Sequence, residues 1–322
     1  MSRTMQQSSN STWIVWLSRL LLIYLAQAGI SVAHAVNTDT QAAASLRAKH
    51  DLLQDELRDN QFQKPLYLDS TETPDRVAGE MYALLEHPFS TVSAALTTPG
   101  HWCDILSLHL NTKFCQASTT PQATVLNVSI GKKYDQPVDE AYRVEFAYQV
   151  AVKTANYLQV KLNAEQGPIS TRDYNIMLEA IPLTKGRTFL YLGYSYGYGF
   201  AGRLAMKAYL GTVGSGKVGF TIVDKKPDGP PVYINGMRGA VERNTMRYYL
   251  AIEAFLGALS APPQAQLEKR LRDWFTASER YPRQLHEMEQ NVYLDMKRKE
   301  NLRQQSGSYR ATATASLKGG SL

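Results

Sequence analysis

Between Gly236 and Leu259 the apolar residues return every three, four or seven positions, and Val241, Tyr248, Ile252, Phe255 and Leu259 fall on one stripe of a helix. Upstream the period is two. Tyr142, Val144, Phe146, Tyr148, Val150 and Val152 alternate with Arg143, Glu145, Ala147, Gln149, Ala151 and Lys153, which predicts a strand with one dry face and one wet face. Leu158, Val160 and Leu162 repeat the alternation, as do Tyr174, Ile176, Leu178 and Ala180, and five such runs lie between Thr124 and Tyr198. Lys185-Gly186 predicts a hairpin into the last run. Short loops between neighbouring strands predict an antiparallel meander whose inner face must be covered. The helix over 239–259 is the predicted cover. The fold class is therefore α+β: a curved antiparallel sheet wrapped on a long C-terminal helix, with extra helices after it.

The remaining elements fit around that pair. Residues 39–60 read as a polar helix with a thin stripe of Leu46, Leu52, Leu53 and Leu57, expected to pack loosely or fray. Strands are predicted at 64–70 and 76–86, a short helix from Pro88 to the stop at Pro99-Gly100, a second turn over 101–106, and an extended run over 108–117. After Gly199 come a helix over 200–210, a glycine-rich stretch at 211–219 and an apolar run at 218–223, on which residues 232–234 are expected to pair back. Charged helices follow near 264–279 and 283–304. The tail over 305–322 has no period and is expected to be disordered. The implied divisions are a leader at 1–35, a helical segment at 36–63, the main domain at 64–260 with an insertion at 200–235, charged helices at 261–304, and the tail.

Composition adds a compartment. Arg3 and Arg19 precede an apolar run from Leu20 to Ala26, and Ala33-His34-Ala35 offers small residues where a signal peptidase reads. That run is shorter than the roughly 20 residues needed to span a bilayer. We therefore expect a signal peptide cleaved after Ala35 and a periplasmic or secreted product. The only two cysteines, Cys103 and Cys115, are then expected to form a disulfide, because the compartment is oxidising. The net charge of +6 includes two leader arginines and shows no basic stripe interleaved with aromatics, which excludes a nucleic-acid partner.

Residues 77–83 (VAGEMYA), 98–102 (TPGHW), the hairpin strand 187–196 (RTFLYLGYSY) and the closing helix occur in an order that resembles the START-like, or SRPBCC, helix-grip superfamily. The resemblance covers about residues 64–260. It implies a cavity between sheet and helix for an apolar or amphipathic small molecule. The insertion at 200–235 departs from the simplest family plan, so the helices at 200–210 and 239–259 both compete for the grip position.

Candidate chemistry is sparse. The strand 187–198 places Leu190, Leu192, Tyr194, Tyr196 and Tyr198 on one face and Gly193, Ser195 and Gly197 on the other. Such a tyrosine face either walls a cavity, offering hydroxyls to a ligand, or fills a core. Arg203, Arg243 and Arg247 either present paired N–H donors to a carboxylate or phosphate, or face water and pair with acids such as Glu242. With Tyr248, these residues make the candidate ligand set: Tyr194, Tyr196, Tyr198, Arg203, Arg243, Arg247 and Tyr248.

Residues 211–217 (GTVGSGK) imitate a phosphate loop, but Val218 stands where Ser or Thr is required and the flanking elements are inverted. His101, Asp104 and His109 have ligand chemistry without a fourth partner, so neither metal nor cofactor is expected. No nucleophile elbow or zinc helix is present, and no catalytic residue is assigned. The leading reading is an exported binding module for an apolar or amphipathic molecule. The alternatives are a cyclase or hydrolase of the same fold, with Tyr194, Tyr196 and Asp173 as its acids and bases, and a scaffold that contacts a membrane surface or envelope protein through 264–304. Residues 200–234, bracketed by glycines, are expected either to gate the cavity or to extend the core.

Overall fold

The computed structural model describes residues 39–212, 216–225 and 229–318, with side chains described to residue 306. The expected leader, with its expected cleavage after Ala35, lies outside the described residues. Eight strands form one antiparallel sheet: β1 (Leu66–Glu72), β2 (Arg76–Leu85), β3 (Thr112–Thr119), β4 (Thr124–Ile130), β5 (Tyr142–Lys153), β6 (Leu158–Gln166), β7 (Thr171–Pro182) and β8 (Thr188–Tyr198). Their order is β1-β2-β8-β7-β6-β5-β4-β3, so the last strand of the meander returns beside the first hairpin. Alternation along the strands turns Leu126, Val144, Phe146, Leu162, Ile176, Leu178 and Leu192 into the principal core. One expectation needs correction. The register shifts between Val150 and Val152, and Val152 joins a second cluster on the opposite face instead of continuing the inner row.

That second cluster belongs to helices α1 (residues 39–52) and α2 (Gln54–Arg58). Leu46, Leu53 and Leu57 are buried against Tyr157, Ile181, Phe189 and Tyr191 on the outer face of the sheet, so this segment is not loosely attached. Helices α3 (Phe89–Leu96) and α4 (Pro99–Leu106) carry the chain from β2 to the far edge strand β3. The disulfide between Cys103 and Cys115 ties α4 to that edge strand, with Cα atoms 5.2 Å apart.

Helix α5 (Phe200–Gly211) is followed by a small ribbon of β9 (Ile222–Lys225) and β10 (Pro231–Tyr233). Then comes α6 (Gly236–Ala258), which crosses the inner face against β1, β2 and β8 and so takes the grip position. Its approach to β2 is set by Gly79. A Cβ there would lie 2.4 Å from Thr245 Oγ1, so the helix rests directly on the strand backbone.

The single apolar stripe understates how deeply α6 sits. Helix α7 (Pro263–Ser278) covers its other side, Trp274 donates to the Arg247 carbonyl at 3.1 Å, and Met246, Leu250 and Ala254 are buried there. The helix expected over 283–304 is two: α8 (Pro282–Leu285), a turn at 286–289, and α9 (Gln290–Lys318). Helix α9 packs against β3 and α7, and its helical backbone continues to Lys318, into a tail expected to be disordered from 305. Alanines at 311, 313 and 315 favour that continuation.

Candidate functional site

On the side of α6 turned to the sheet, Asn244 and Tyr248 are one turn apart. Both keep part of their surface accessible, while Val241, Thr245, Ile252 and Phe255 on the same helix are fully buried. The helix and sheet therefore part at this point. Aromatic rings border the gap: Tyr194 of β8 meets Tyr248 edge-on at 5.3 Å, His109 lies 5.4 Å from Tyr248, and Tyr174 of β7 stacks on Tyr196 at 5.3 Å. Tyr174 shares a hydrogen bond with Thr171. No described residue accepts a hydrogen bond from the hydroxyl of Tyr196 or Tyr248, and neither hydroxyl is sealed from solvent-sized space.

His109 adds a donor. Its Nδ1 accepts from the Asn111 N–H at 3.2 Å, which leaves the proton of the neutral ring on Nε2, and Nε2 is buried with Asn244 as its neighbour. Burial above all, then the charges of Arg247, Lys297 and Lys133, holds this imidazole well below its ordinary value and keeps it uncharged at neutral pH. Asn244 stands beside both His109 and Tyr194. Burial pushes the hydroxyls of Tyr194, Tyr196 and Tyr248 well above the usual range and Tyr174 up to about 12, so these groups donate protons to hydrogen bonds and none serves as a base.

Beyond the aromatic gap lies a cluster of charge. Glu287, in the turn between α8 and α9, accepts from Arg247 at 2.7 Å and Lys133 at 2.6 Å, with Lys217 at 3.8 Å. Arg243 stands one turn before Arg247 and donates to the Val218 carbonyl at 3.1 Å. Burial, and next the charge of Arg247, lowers Arg243 to about 10. Burial alone would raise the Glu287 carboxyl, but Arg247, Lys133 and Lys217 outweigh it and hold the group below the usual range.

Comparison with known proteins adds little beyond fold. No family model and no curated protein matches this chain. Solved structures with START-like folds do align. A conserved protein from Geobacillus kaustophilus shares 12% identity over 56% of this chain and 95% of its own, with TM-score 0.33. Norcoclaurine synthase from Thalictrum flavum shares 10% identity over 46% and 78%, with TM-score 0.30. Human StAR-related lipid transfer protein 5 shares 10% over 54% and 90%, with TM-score 0.29. A likeness at this level carries no functional argument.

Of the seven residues expected to form a ligand set, Tyr194, Tyr196, Tyr248, Arg243 and Arg247 converge. Tyr198 and Arg203 do not. Tyr198 turns its hydroxyl to the Thr73 carbonyl at 3.0 Å, and Arg203 lies beside it on α5. Glu242 pairs with neither arginine: fully buried, it accepts from Ser70 Oγ, from the Phe220 and Thr221 N–H groups and from Thr221 Oγ1. Those bonds bolt residues 220–221 to α6, whereas α5 is more exposed, with Phe200 at 86% and Leu204 at 62%.

Asp173 lies on the surface beside Arg172, away from the tyrosines. His101 bonds the Ala95 carbonyl and Asp104 pairs with Arg270, so neither shares a site with His109. Sequence reasoning missed Asn244, Lys133 and Glu287 as site residues, and weighed His109 only as a metal ligand and Lys217 only within the rejected phosphate loop. Asn244 alone carried a signal, as a polar residue four before Tyr248 on the apolar stripe.

Proposed function

We propose that this protein is an exported module that binds a small apolar or amphipathic molecule between its sheet and α6. One observation carries the reading: on the sheet-facing side of α6, where Val241, Thr245, Ile252 and Phe255 are buried, Asn244 and Tyr248 keep accessible surface beside aromatic rings and the unpaired hydroxyls of Tyr196 and Tyr248. A close-packed interior leaves no such gap without an occupant or solvent, and rings with a few convergent donors are the lining of a small-molecule site. The donors Tyr196, Tyr248, His109 and Asn244 orient a polar group, and the rings take the apolar remainder. The absence of a base among the tyrosines favours carriage over the cyclase or hydrolase reading. Helices α7 and α9 spend Arg270, Lys297 and Arg298 on internal pairs, which weakens the scaffold reading.

The test is extraction of the purified mature protein with organic solvent, followed by mass spectrometry, on the native chain and on Asn244→Leu. The leucine fills the gap with apolar volume. A stoichiometric molecule in the native extract that is lost from a folded Asn244→Leu protein supports the proposal. Extracts that are empty, or identical for both proteins, defeat it.

A further inference from the structure

The charges next to the aromatic gap do not balance. Lys133, Lys217 and Arg247 contact Glu287, Arg243 stands one turn from Arg247, and no other carboxylate among the described residues pairs with any of the four. Arg243 and Arg247 are 6% and 3% exposed, and Arg247 Nε is buried with no acceptor. Arg243 has one bond, to a backbone carbonyl. Burying a guanidinium is costly unless its N–H donors and charge are met, and a surplus of this kind is met by an anion from outside. The cluster adjoins the aromatic gap, because Tyr196 lies within the field of Arg243 and Tyr248 within that of Arg247. It also reaches solvent: the side chains of Lys133 and Lys217 are 27% and 25% exposed, which gives an anion a way in.

We propose that Lys133, Lys217, Arg243 and Arg247 form an oxyanion subsite that holds the acidic head, phosphate or carboxylate, of the molecule whose apolar part lies at Tyr248. The proposal rests on the binding reading above. The planar guanidinium groups suit two-point contact with an oxyanion, and the lysines add mobile charge at the entrance. Glu287 holds the cations in place and competes with the incoming head, so the ligand enters as a second counter-charge.

Titration calorimetry with octyl phosphate, octanol and inorganic phosphate, all below micellar concentrations, tests this on the mature protein. We expect octyl phosphate to bind at least tenfold more tightly than octanol. Lys133→Met and Lys217→Met should each weaken octyl phosphate by about tenfold, the worth of one charge-assisted contact, and leave octanol unchanged. Glu287→Gln should tighten octyl phosphate, an effect of opposite sign that misfolding does not imitate.

Equal affinity for octyl phosphate and octanol, with no binding of inorganic phosphate, overturns the subsite and leaves the apolar reading standing. Inorganic phosphate that binds as tightly as octyl phosphate and is lost in the lysine variants identifies a free anion as the occupant. It upholds the subsite and removes the apolar reading. Failure of all three probes to bind defeats both.

Discussion

Glu300 and Glu287 each sit among buried cations, one on α9 and the other in the turn before it. Around Glu300 every donor is answered. Lys113 reaches Glu300 at 2.9 Å, the Leu110 carbonyl at 2.9 Å and Met296 sulfur at 3.6 Å. Lys297 reaches Glu300 at 2.8 Å and the carbonyls of His109 and Thr112 at 2.6 and 2.9 Å. Each ammonium thus has three acceptors for its three N–H bonds. Around Glu287 three cations share one carboxylate and Arg243 beside them pairs with none, the Arg247 Nε goes unanswered, and the two lysines reach water. Polar groups closed on one another, as around Glu300, hold elements together, whereas donors left open, as around Glu287, are the raw material of a binding site. The closed cluster pins α9 to β3 and to the loop bearing His109, so it also supports the open one.

The largest difference between the two should appear when the central carboxylate is neutralised. Glu300→Gln strands two buried ammonium groups and is expected to cost about 3–5 kcal/mol in urea unfolding. Glu287→Gln should cost less, since Lys133 and Lys217 can turn to solvent and an anion can replace the lost charge. Equal losses would break the distinction between a closed and an open cluster.

Next in size is the covalent tie at the closed end. The Cys115 N–H donates to Gln304 Oε1 at 3.2 Å, so the Cys103–Cys115 bond and α9 brace the same edge strand. Replacing both cysteines by serine should destabilise the protein by about 2–4 kcal/mol, mainly by freeing the unfolded chain. The affinity of the open cluster for octyl phosphate should change far less. A variant that loses stability and anion binding together would show the two ends to be one unit.

The closed cluster also has a pH signature. Burial first, and Lys113 with it, lowers Lys297 from 10.5 to about 8 against the pull of Glu300. From about pH 8 to 10.5 the folded protein has released a proton that the unfolded chain still holds, so stability rises with pH across that window. Below pH 8 both states hold the proton and the full cost of the buried charge remains. The gain should reach about 2 kcal/mol by pH 10, read from urea midpoints at pH 7, 8.5 and 9.5, and Lys297→Met should flatten it. Because the buried tyrosines oppose this gain toward pH 10, the readout is the difference between the two proteins. A Lys297→Met protein whose stability changes with pH as the native protein's does would contradict the assignment.

Much of this architecture was legible in the sequence, and the reason is periodicity. Residues 144–148 alternate because one face of β5 is dry, although Tyr142 at the start of that row is exposed, and the recurrence from Val241 to Leu259 marks the helix that dries it. The disulfide was legible from an even pair of cysteines twelve positions apart. What escaped depends on which distant segments meet. Leu46, Leu53 and Leu57 look like a thin stripe until the outer-face residues Phe189 and Tyr191 are seen to cover them, and nothing local marks Val152 as lying past a bulge. Within the site, Tyr194, Tyr196 and Tyr248 followed from strand and helix phase. Glu287, Lys133 and Lys217 sit in three separate loops, where no period fixes direction, so only the tertiary structure brings them together. Glu242 was misread for the same reason, since its partners Ser70, Phe220 and Thr221 come from two remote segments.

The smallest expected effect sharpens the comparison most, because it has to be close to zero. Lys113→Met removes an ammonium whose three donors are all used, and it leaves the Leu110 carbonyl and one Glu300 oxygen without that partner in a sealed interior. That substitution should cost about 1–3 kcal/mol. Lys133→Met removes one of three cations paired with Glu287. Arg247 remains on the same carboxylate oxygen at 2.7 Å, and repulsion from Arg243 and Arg247, which helps to lower the Lys133 ammonium below its usual range, is relieved. The lost attraction and the relieved repulsion nearly cancel, and the methionine keeps much of the apolar stem. Its stability should lie within about 0.5 kcal/mol of the native protein. Paired urea melts of the two variants at pH 7 and low salt, free of phosphate, measure the contrast. If Lys133→Met costs as much as Lys113→Met, the charges around Glu287 are structural and already in balance, and no anion is needed to complete them.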